Sequence, residues 1–231
     1  MAAGTVLRAQ ERPVDLELVL AVDASSSVSA GEFQLQMLGL AKAFRDSRVI
    51  AAIQAGGNLG IAVALVQWSD NRKQYLAIDW AAVAGARDAR GLAKSIEGTP
   101  RYLVGGGTAI GGALAFSIRQ FDGNGFVGRR KVIDISGDGR TNQGFQPSDM
   151  RDRAVRRGIT INGLAILNED PVVDDYYLRH VIGGTGAFVM TANDYQAYRE
   201  AILAKLIREI AGVPVAARPR PRGPRLAAAV E

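Results

Sequence analysis

Three stretches of this 231-residue chain carry oxygen donors at spacings that could hold a hard cation. The first is Asp23-Ala24-Ser25-Ser26-Ser27, directly after the apolar run 16–22. The second is Thr108, behind Gly105-Gly106-Gly107. The third is Asp138, set between Gly137 and Gly139 after the apolar run 131–135. Alternate residues of a tight turn can aim two hydroxyls at one point, and glycine lets backbone approach without a Cβ in the way. Carboxylate and hydroxyl oxygens suit Mg²⁺, Mn²⁺ or Ca²⁺ and do not suit copper or zinc. Asp23 and Ser27 would also serve as caps for a following helix, a role compatible with metal binding.

The same residues fail the templates of catalysis. A phosphatase of the haloacid dehalogenase type wants a second aspartate two residues after Asp23, where Ser25 stands. A P-loop needs a lysine after its glycines, and residues 105–114 (GGGTAIGGAL) have none. The same stretch fails the dinucleotide fingerprint because Ile110 occupies the last glycine position. A serine hydrolase needs a base, and the single histidine, His180, falls on a short helix as a surface or packing residue. There is no cysteine, which excludes disulfides, zinc thiolates and thiol nucleophiles. The expectation is a protein that is not an enzyme. A metal-assisted hydrolase and a structural domain whose metal rigidifies loops are the alternatives.

These loops need a scaffold, and the hydrophobic pattern supplies one. Strand-like runs at 16–22, 60–68, 75–80, 131–135, 159–166 and 187–190 alternate with helix-like segments. Among the latter, Phe33, Met37, Leu40, Ala41 and Phe44 recur at helical spacing, as do Tyr195, Tyr198, Ile202, Leu206 and Ile210. Alternation of this kind implies a mostly parallel sheet with helices on both faces, and ligands then bind beyond the carboxyl ends of the strands. The three donor loops all fall there. Trp68, Trp80 and the tyrosines of the last helix read as core. Asp70 and Asp79 read as turn and edge residues. Asp174 and Asp175 suit the first turn of a helix, where their charge opposes its positive end. Asp134 lies inside the strand KVIDIS and should be buried. Hydroxyls or amides of the neighbouring loops would be its donors, so that it orients the site from behind.

The chain divides into residues 1–13, 14–213 and 214–231. The net charge is +5, but residues 218–231 hold four arginines and one glutamate, so the rest is nearly neutral at +2. No aromatic-interleaved basic stripe runs through the body, and nucleic acid is not the expected partner. The Pro-, Arg- and Ala-rich segment 214–231 cannot bury enough apolar surface to order itself, though it could touch anionic surfaces. No apolar run is long enough to cross a bilayer. Residues 1–13 are expected to be disordered. They lack the apolar stretch of a secretory signal, while LRAQE looks like the end of one. With a signal peptide lost or the start misplaced the expectation is a periplasmic or secreted location, otherwise a cytoplasmic one, and the compartment is not fixed.

Asp23, Ser25, Ser27, Thr108 and Asp138 resemble the metal-ion-dependent adhesion site of the von Willebrand factor A (vWA) superfamily. The strings VDLELVLAVDASSSV, VIDISGDGRTNQG, RAVRRGITINGLAIL, YYLRHVIGGTGAFV and KLIREIAG look like an uncharacterised bacterial branch of it, domain of unknown function 1194. The resemblance implies a doubly wound α/β sheet of about six strands with one antiparallel edge strand. It implies that Ser25, Ser27 and Thr108 touch a cation, with Mg²⁺ the first choice, while Asp23 and Asp138 act through water. It implies a protein partner that completes the shell with an Asp or Glu carboxylate. One departure bears on the reach of Asp138: the usual third loop has threonine or serine directly before Asp-Gly, and here Gly137 intervenes after Ser136.

Overall fold

The computed structural model describes residues 11–212. The expectations for residues 1–10 and 213–231, and with them most of both terminal segments, lie outside that range.

Six strands form one sheet: β1 (Arg12–Asp23), β2 (Ile61–Trp68), β3 (Gln74–Val83), β4 (Phe126–Gly137), β5 (Ile159–Ile166) and β6 (Val189–Ala192). Their spatial order is β3-β2-β1-β4-β5-β6. Only β3 runs antiparallel, paired to β2 at one edge. The architecture is therefore the doubly wound, mostly parallel sheet with one antiparallel edge strand.

The strand sequences explain why the sheet is covered on both faces. Along β1, Leu16, Leu18, Leu20 and Val22 point into one core, and Val19 and Ala21 point into the other. A continuous apolar run of this kind is stable only when both faces are buried. The first core is roofed by α1 (Ala30–Arg45), α2 (Ser47–Ala55), α3 (Ala86–Glu97) and α7 (Tyr198–Ala211). The second is roofed by α4 (Ile110–Arg119), α5 (Pro147–Arg156), α6 (Val173–Tyr176) and a single π-turn, Tyr177–Val181, that continues α6.

The sequence pattern locates every strand but shortens three of them. β1 begins four residues earlier than its apolar run because Asp15 and Glu17 are buried with partners. Asp15 accepts from the Leu59 amide and Arg129, and Glu17 from Asn124 and the Gly128 amide. Helix α2 was not legible as a separate element. Its signal is a short one: Asp46 caps the N-terminus through the Arg48 amide, and only Val49 and Ile53 are buried.

Candidate cation site

The chain leaves β1 toward α1 on one face of the sheet and leaves β4 toward α5 on the other. The carboxyl ends of these neighbouring strands therefore open a crevice, the switch point where ligands of such sheets bind. Asp23 ends β1, and Asp138 follows β4 directly. Both are fully buried, as is Ser25, while Thr108 is nearly so.

Short hydrogen bonds tie the first and third loops together. The Ser25 amide donates to Asp23 Oδ1 at 2.7 Å, closing a tight turn. Ser25 Oγ and Ser27 Oγ lie 3.1 Å apart, and Ser27 Oγ donates to Asp138 Oδ1 at 2.8 Å. The inserted Gly137 thus leaves Asp138 within reach of the serines. Tyr195 Oη, placed just before α7, donates to Asp138 Oδ2 at 2.9 Å. Tyr195 is buried as expected of a core residue, but its hydroxyl belongs to this cluster. Gln36 on α1 also belongs to it. Its Nε2 donates to the Asp23 carbonyl at 3.0 Å, and its Oε1 accepts from Ser136 Oγ at 3.3 Å.

The second loop is held against the first. Ser26 donates twice to the Gly106 carbonyl, from its amide at 3.0 Å and its hydroxyl at 2.7 Å. Gly105 and Gly106 have φ of +65° and +104°, the left-handed region that favours glycine. A side chain on Gly106 would strike Ser69 and Asp70 besides. Thr108 is clamped by Asn142, which accepts from its amide and donates to its carbonyl, both at 2.9 Å. Its Oγ1 lies 3.8 Å from where a Cβ on Gly139 would stand, which sets it beside the Asp138 loop. It hydrogen-bonds none of the other four site residues. The five residues therefore share one end of the sheet, four in a bonded cluster and Thr108 alongside.

The electrostatics of the cluster are lopsided. Burial, and then the neighbouring charge of Asp138, push the Asp23 carboxyl up to about 7, against hydrogen bonds from Ser25 that pull it down. Asp23 Oδ2 is buried without a hydrogen-bond partner. No lysine or arginine among the described residues forms an ion pair with Asp23 or Asp138. Arg101 is the nearest cation of note, and its guanidinium is spent on the Ala24 and Ser25 carbonyls at 2.9 Å. Two buried carboxylates and an orphaned oxygen, ringed by hydroxyls, fit a small hard cation. Among the described residues no three acidic or histidine side chains cluster as a metal site. Any ion here would rely on hydroxyls for much of its shell.

Asp134 departs from expectation in its partners. It is buried, but its donor is Lys205 Nζ of α7 at 2.6 Å, not a hydroxyl or amide of the site loops. The side chain points into the core beneath α7, two residues before Ser136 on the same face of β4. His180 is exposed and stacks on Tyr176, with ring centroids 4.9 Å apart.

Solved structures share this architecture. Proximal thread matrix protein 1 from the mussel byssus superposes with a TM-score of 0.65 at 18% identity, over 87% of this chain and 49% of that one. The same protein has been solved with a zinc-occupied MIDAS motif (TM-score 0.62, 18% identity, the same coverage). The von Willebrand factor type A protein from Catenulispora acidiphila matches with a TM-score of 0.55 at 16% identity, over 85% and 43% of the two chains. The vWF domain of the type V pilus tip protein Mfa5 from Porphyromonas gingivalis matches at 0.56 and 11%, over 84% and 95%. The chain spans about half the length of the mussel protein. At these identities the likeness establishes a vWA-like fold. No curated protein matches the sequence. A family model described as Protein of unknown function (DUF1194) matches residues 13–214, nearly the whole described chain, and the protein belongs to that family.

Proposed function

We propose that the chain is a divalent-cation-dependent protein-binding module whose site captures an acidic group of a partner. One observation carries the reading: the Asp23 and Asp138 carboxylates are buried together among hydroxyls, with no lysine or arginine among the described residues to pair them. Ser25, Ser27 and Thr108 would hold the ion directly, and Asp23 and Asp138 through water. Mg²⁺ is the first choice, with Mn²⁺ or Ca²⁺ as substitutes. The zinc in the mussel protein's MIDAS motif widens the range the fold accepts beyond the hard cations expected from oxygen donors.

When bound, such an ion supplies a Lewis-acidic point that neutral inner ligands leave electrophilic toward an incoming carboxylate. The chain's own groups do the rest. Tyr195 and Ser27 fix the two oxygens of Asp138, the Ser25 amide fixes one oxygen of Asp23, and Gln36 ties the Asp23 carbonyl to Ser136. Apolar side chains stand in the same loops: Val104, just before the glycines, is 76% exposed, and Phe145, beyond Asp138, is 54% exposed. They offer a protein partner a surface to cover beside the charge contact.

The test is a pull-down from the native bacterium with Mg²⁺, Mn²⁺, Ca²⁺ or Zn²⁺, and with chelator. The Ser25→Ala/Ser27→Ala double variant serves as control. The expected result is a partner retained with cation and lost both on chelation and in the variant. A partner that binds equally well in chelator would overturn the reading. So would a variant that loses stability but keeps its partner, which would favour a cation that only rigidifies the loops.

A further inference from the structure

Gly137 stands where the resembling site loops carry a hydroxyl side chain, and the structure shows what occupies that space. A Cβ on Gly137 would lie 2.7 Å from Tyr177 Oη, 2.8 Å from Asp23 Oδ2 and 3.1 Å from the Trp68 indole. The phenol of Tyr177 thus fills the place next to Asp23 that a residue-137 side chain would otherwise take. A second glycine makes the same allowance. On the adjacent strand β5, two register positions away (Ile135 lies opposite Gly163), a Cβ on Gly163 would lie 2.7 Å from the Tyr177 ring. Two neighbouring strands therefore omit side chains to admit one tyrosine.

The backbone that delivers Tyr177 is unusual as well. It opens the π-turn Tyr177–Val181, where Tyr177 accepts at its carbonyl from the Ile182 amide at 3.0 Å. Such turns are rare, and they recur where a side chain must be aimed at a site. Tyr177 is fully buried, yet its hydroxyl has no hydrogen-bond partner, and the oxygen it faces, Asp23 Oδ2, has none either. Burying an unpaired hydroxyl is destabilising. A phenylalanine would fill the same slot without that cost, so packing alone does not account for the hydroxyl. The Trp68 indole, anchored through its Nε1 to the Ala21 carbonyl at 3.2 Å, closes the slot on the remaining side.

We infer that Tyr177 is a positioning residue of the cation site: its hydroxyl hydrogen-bonds the Asp23 carboxylate, directly or through one water, when the cation is bound. Tyr177 takes over from the side chain that Gly137 lacks and fixes the second oxygen of Asp23, as Tyr195 fixes the second oxygen of Asp138. The inference rests on the cation-binding reading above.

The test is a calorimetric titration of the full chain with Mg²⁺, and separately with Mn²⁺, for wild type and Tyr177→Phe, beside melting curves in chelator. The variant is expected to weaken cation affinity roughly fivefold or more, the scale of one hydrogen bond to a charged group. Its melting temperature in chelator should be unchanged or higher, because an unpartnered hydroxyl has been removed. A merely structural tyrosine would give the reverse pattern, with a lower melting temperature and unaltered affinity, and that result would overturn the inference. Gly137→Ala is the second variant. It keeps the phenol but drives a methyl between Oη and Oδ2, and it should also weaken affinity, whereas affinity equal to wild type would count against the proposal. If wild type binds neither ion, the cation-binding reading itself fails, an outcome distinct from a wild type and a Tyr177→Phe variant that bind alike.

Discussion

Of the buried carboxylates among the described residues, two pairs are treated in opposite ways. Under α7, Asp134 and Glu209 flank Lys205, whose Nζ lies 2.6 Å from each. Asn162 donates to Glu209 as well, at 2.9 Å, and all four side chains are buried. At the carboxyl edge of the sheet, Asp23 and Asp138 are as deeply buried, yet no lysine or arginine among the described residues pairs with them. The first pair is supplied with a cation by the sequence itself. The second has no such partner among the described residues, and under the proposed function a bound metal ion would fill that role. A buried charge is tolerable only when paired and hydrogen-bonded, and this contrast is what supports the proposed binding role for the second pair without reference to any relative.

The sharpest way to break the comparison is to remove the internal cation. Lys205→Met leaves Asp134 and Glu209 facing each other without a cation between them, and should cost about 3–5 kcal/mol of unfolding free energy. Chemical denaturation in chelator measures it, and excess Mg²⁺ should restore none of the loss. Recovery with Mg²⁺ would mean that the two carboxylate pairs are not distinct in kind.

A smaller effect is expected from pH. Burial, and then the charge of Asp134, push the Glu209 carboxyl up to about 8, with Lys205 acting in the other direction. The groups around it are Asp134 on β4, Lys205 and Arg208 on α7, Asn162 on β5, and Arg130, which donates to the Glu209 carbonyl at 2.8 Å. The folded state therefore holds a proton on Glu209 that the unfolded chain releases at ordinary carboxylate values. This contribution to stability is full below about pH 4. It is lost as pH rises through the folded value. Urea midpoints taken between pH 5 and 9 in chelator should decline toward alkaline pH, and Glu209→Gln should flatten that decline. A slope unchanged in the variant would assign it to another group.

The smallest effect belongs to the other pair. Asp23→Asn removes a buried, partly unpartnered carboxylate, so stability in chelator should stay within about 1 kcal/mol of wild type. In wild type, Mg²⁺ near its dissociation constant should add only about 0.4 kcal/mol, and in the variant nothing. Melting curves with and without the ion provide both numbers. Unfolding of wild type by chelator at room temperature would make the ion structural.

How much of this was legible in the sequence differs between fold and site. The alternation of apolar strands and amphipathic helices was enough for the sheet, because β1, β2 and β5 are mostly apolar. The ends of β1 and β4 were not legible, since their polar residues are buried by ion pairs and amides rather than by apolar neighbours. Asp23, Ser25, Ser27, Thr108 and Asp138 stood out because each follows a strand or a glycine run. Tyr195, Tyr177 and Gln36 did not. Their rings and methylenes carry the helical pattern of core residues, and only the folded geometry brings their polar tips to the site. Asp134 was legible as buried, but its lysine partner lies a full 71 positions away on another element.

Of the six strands described, the first to be made, β1, is a central one, lying between β2 and β4. β2 and β3 can join one side of β1 early, but its other side waits for β4, and the bond from Ser27 to Asp138 spans 111 residues. During synthesis the chain therefore spends a long interval with Asp23 and its serines at the end of a half-covered strand. Such long closures are slow and leave strand edges exposed meanwhile. This end of the sheet is assembled only once β4 has docked, so a metal ion bound as proposed would select the finished domain and could not template its early folding. A fragment ending before β4 would carry Asp23 and its serines without Asp138, and on the proposed reading it would lack the affinity.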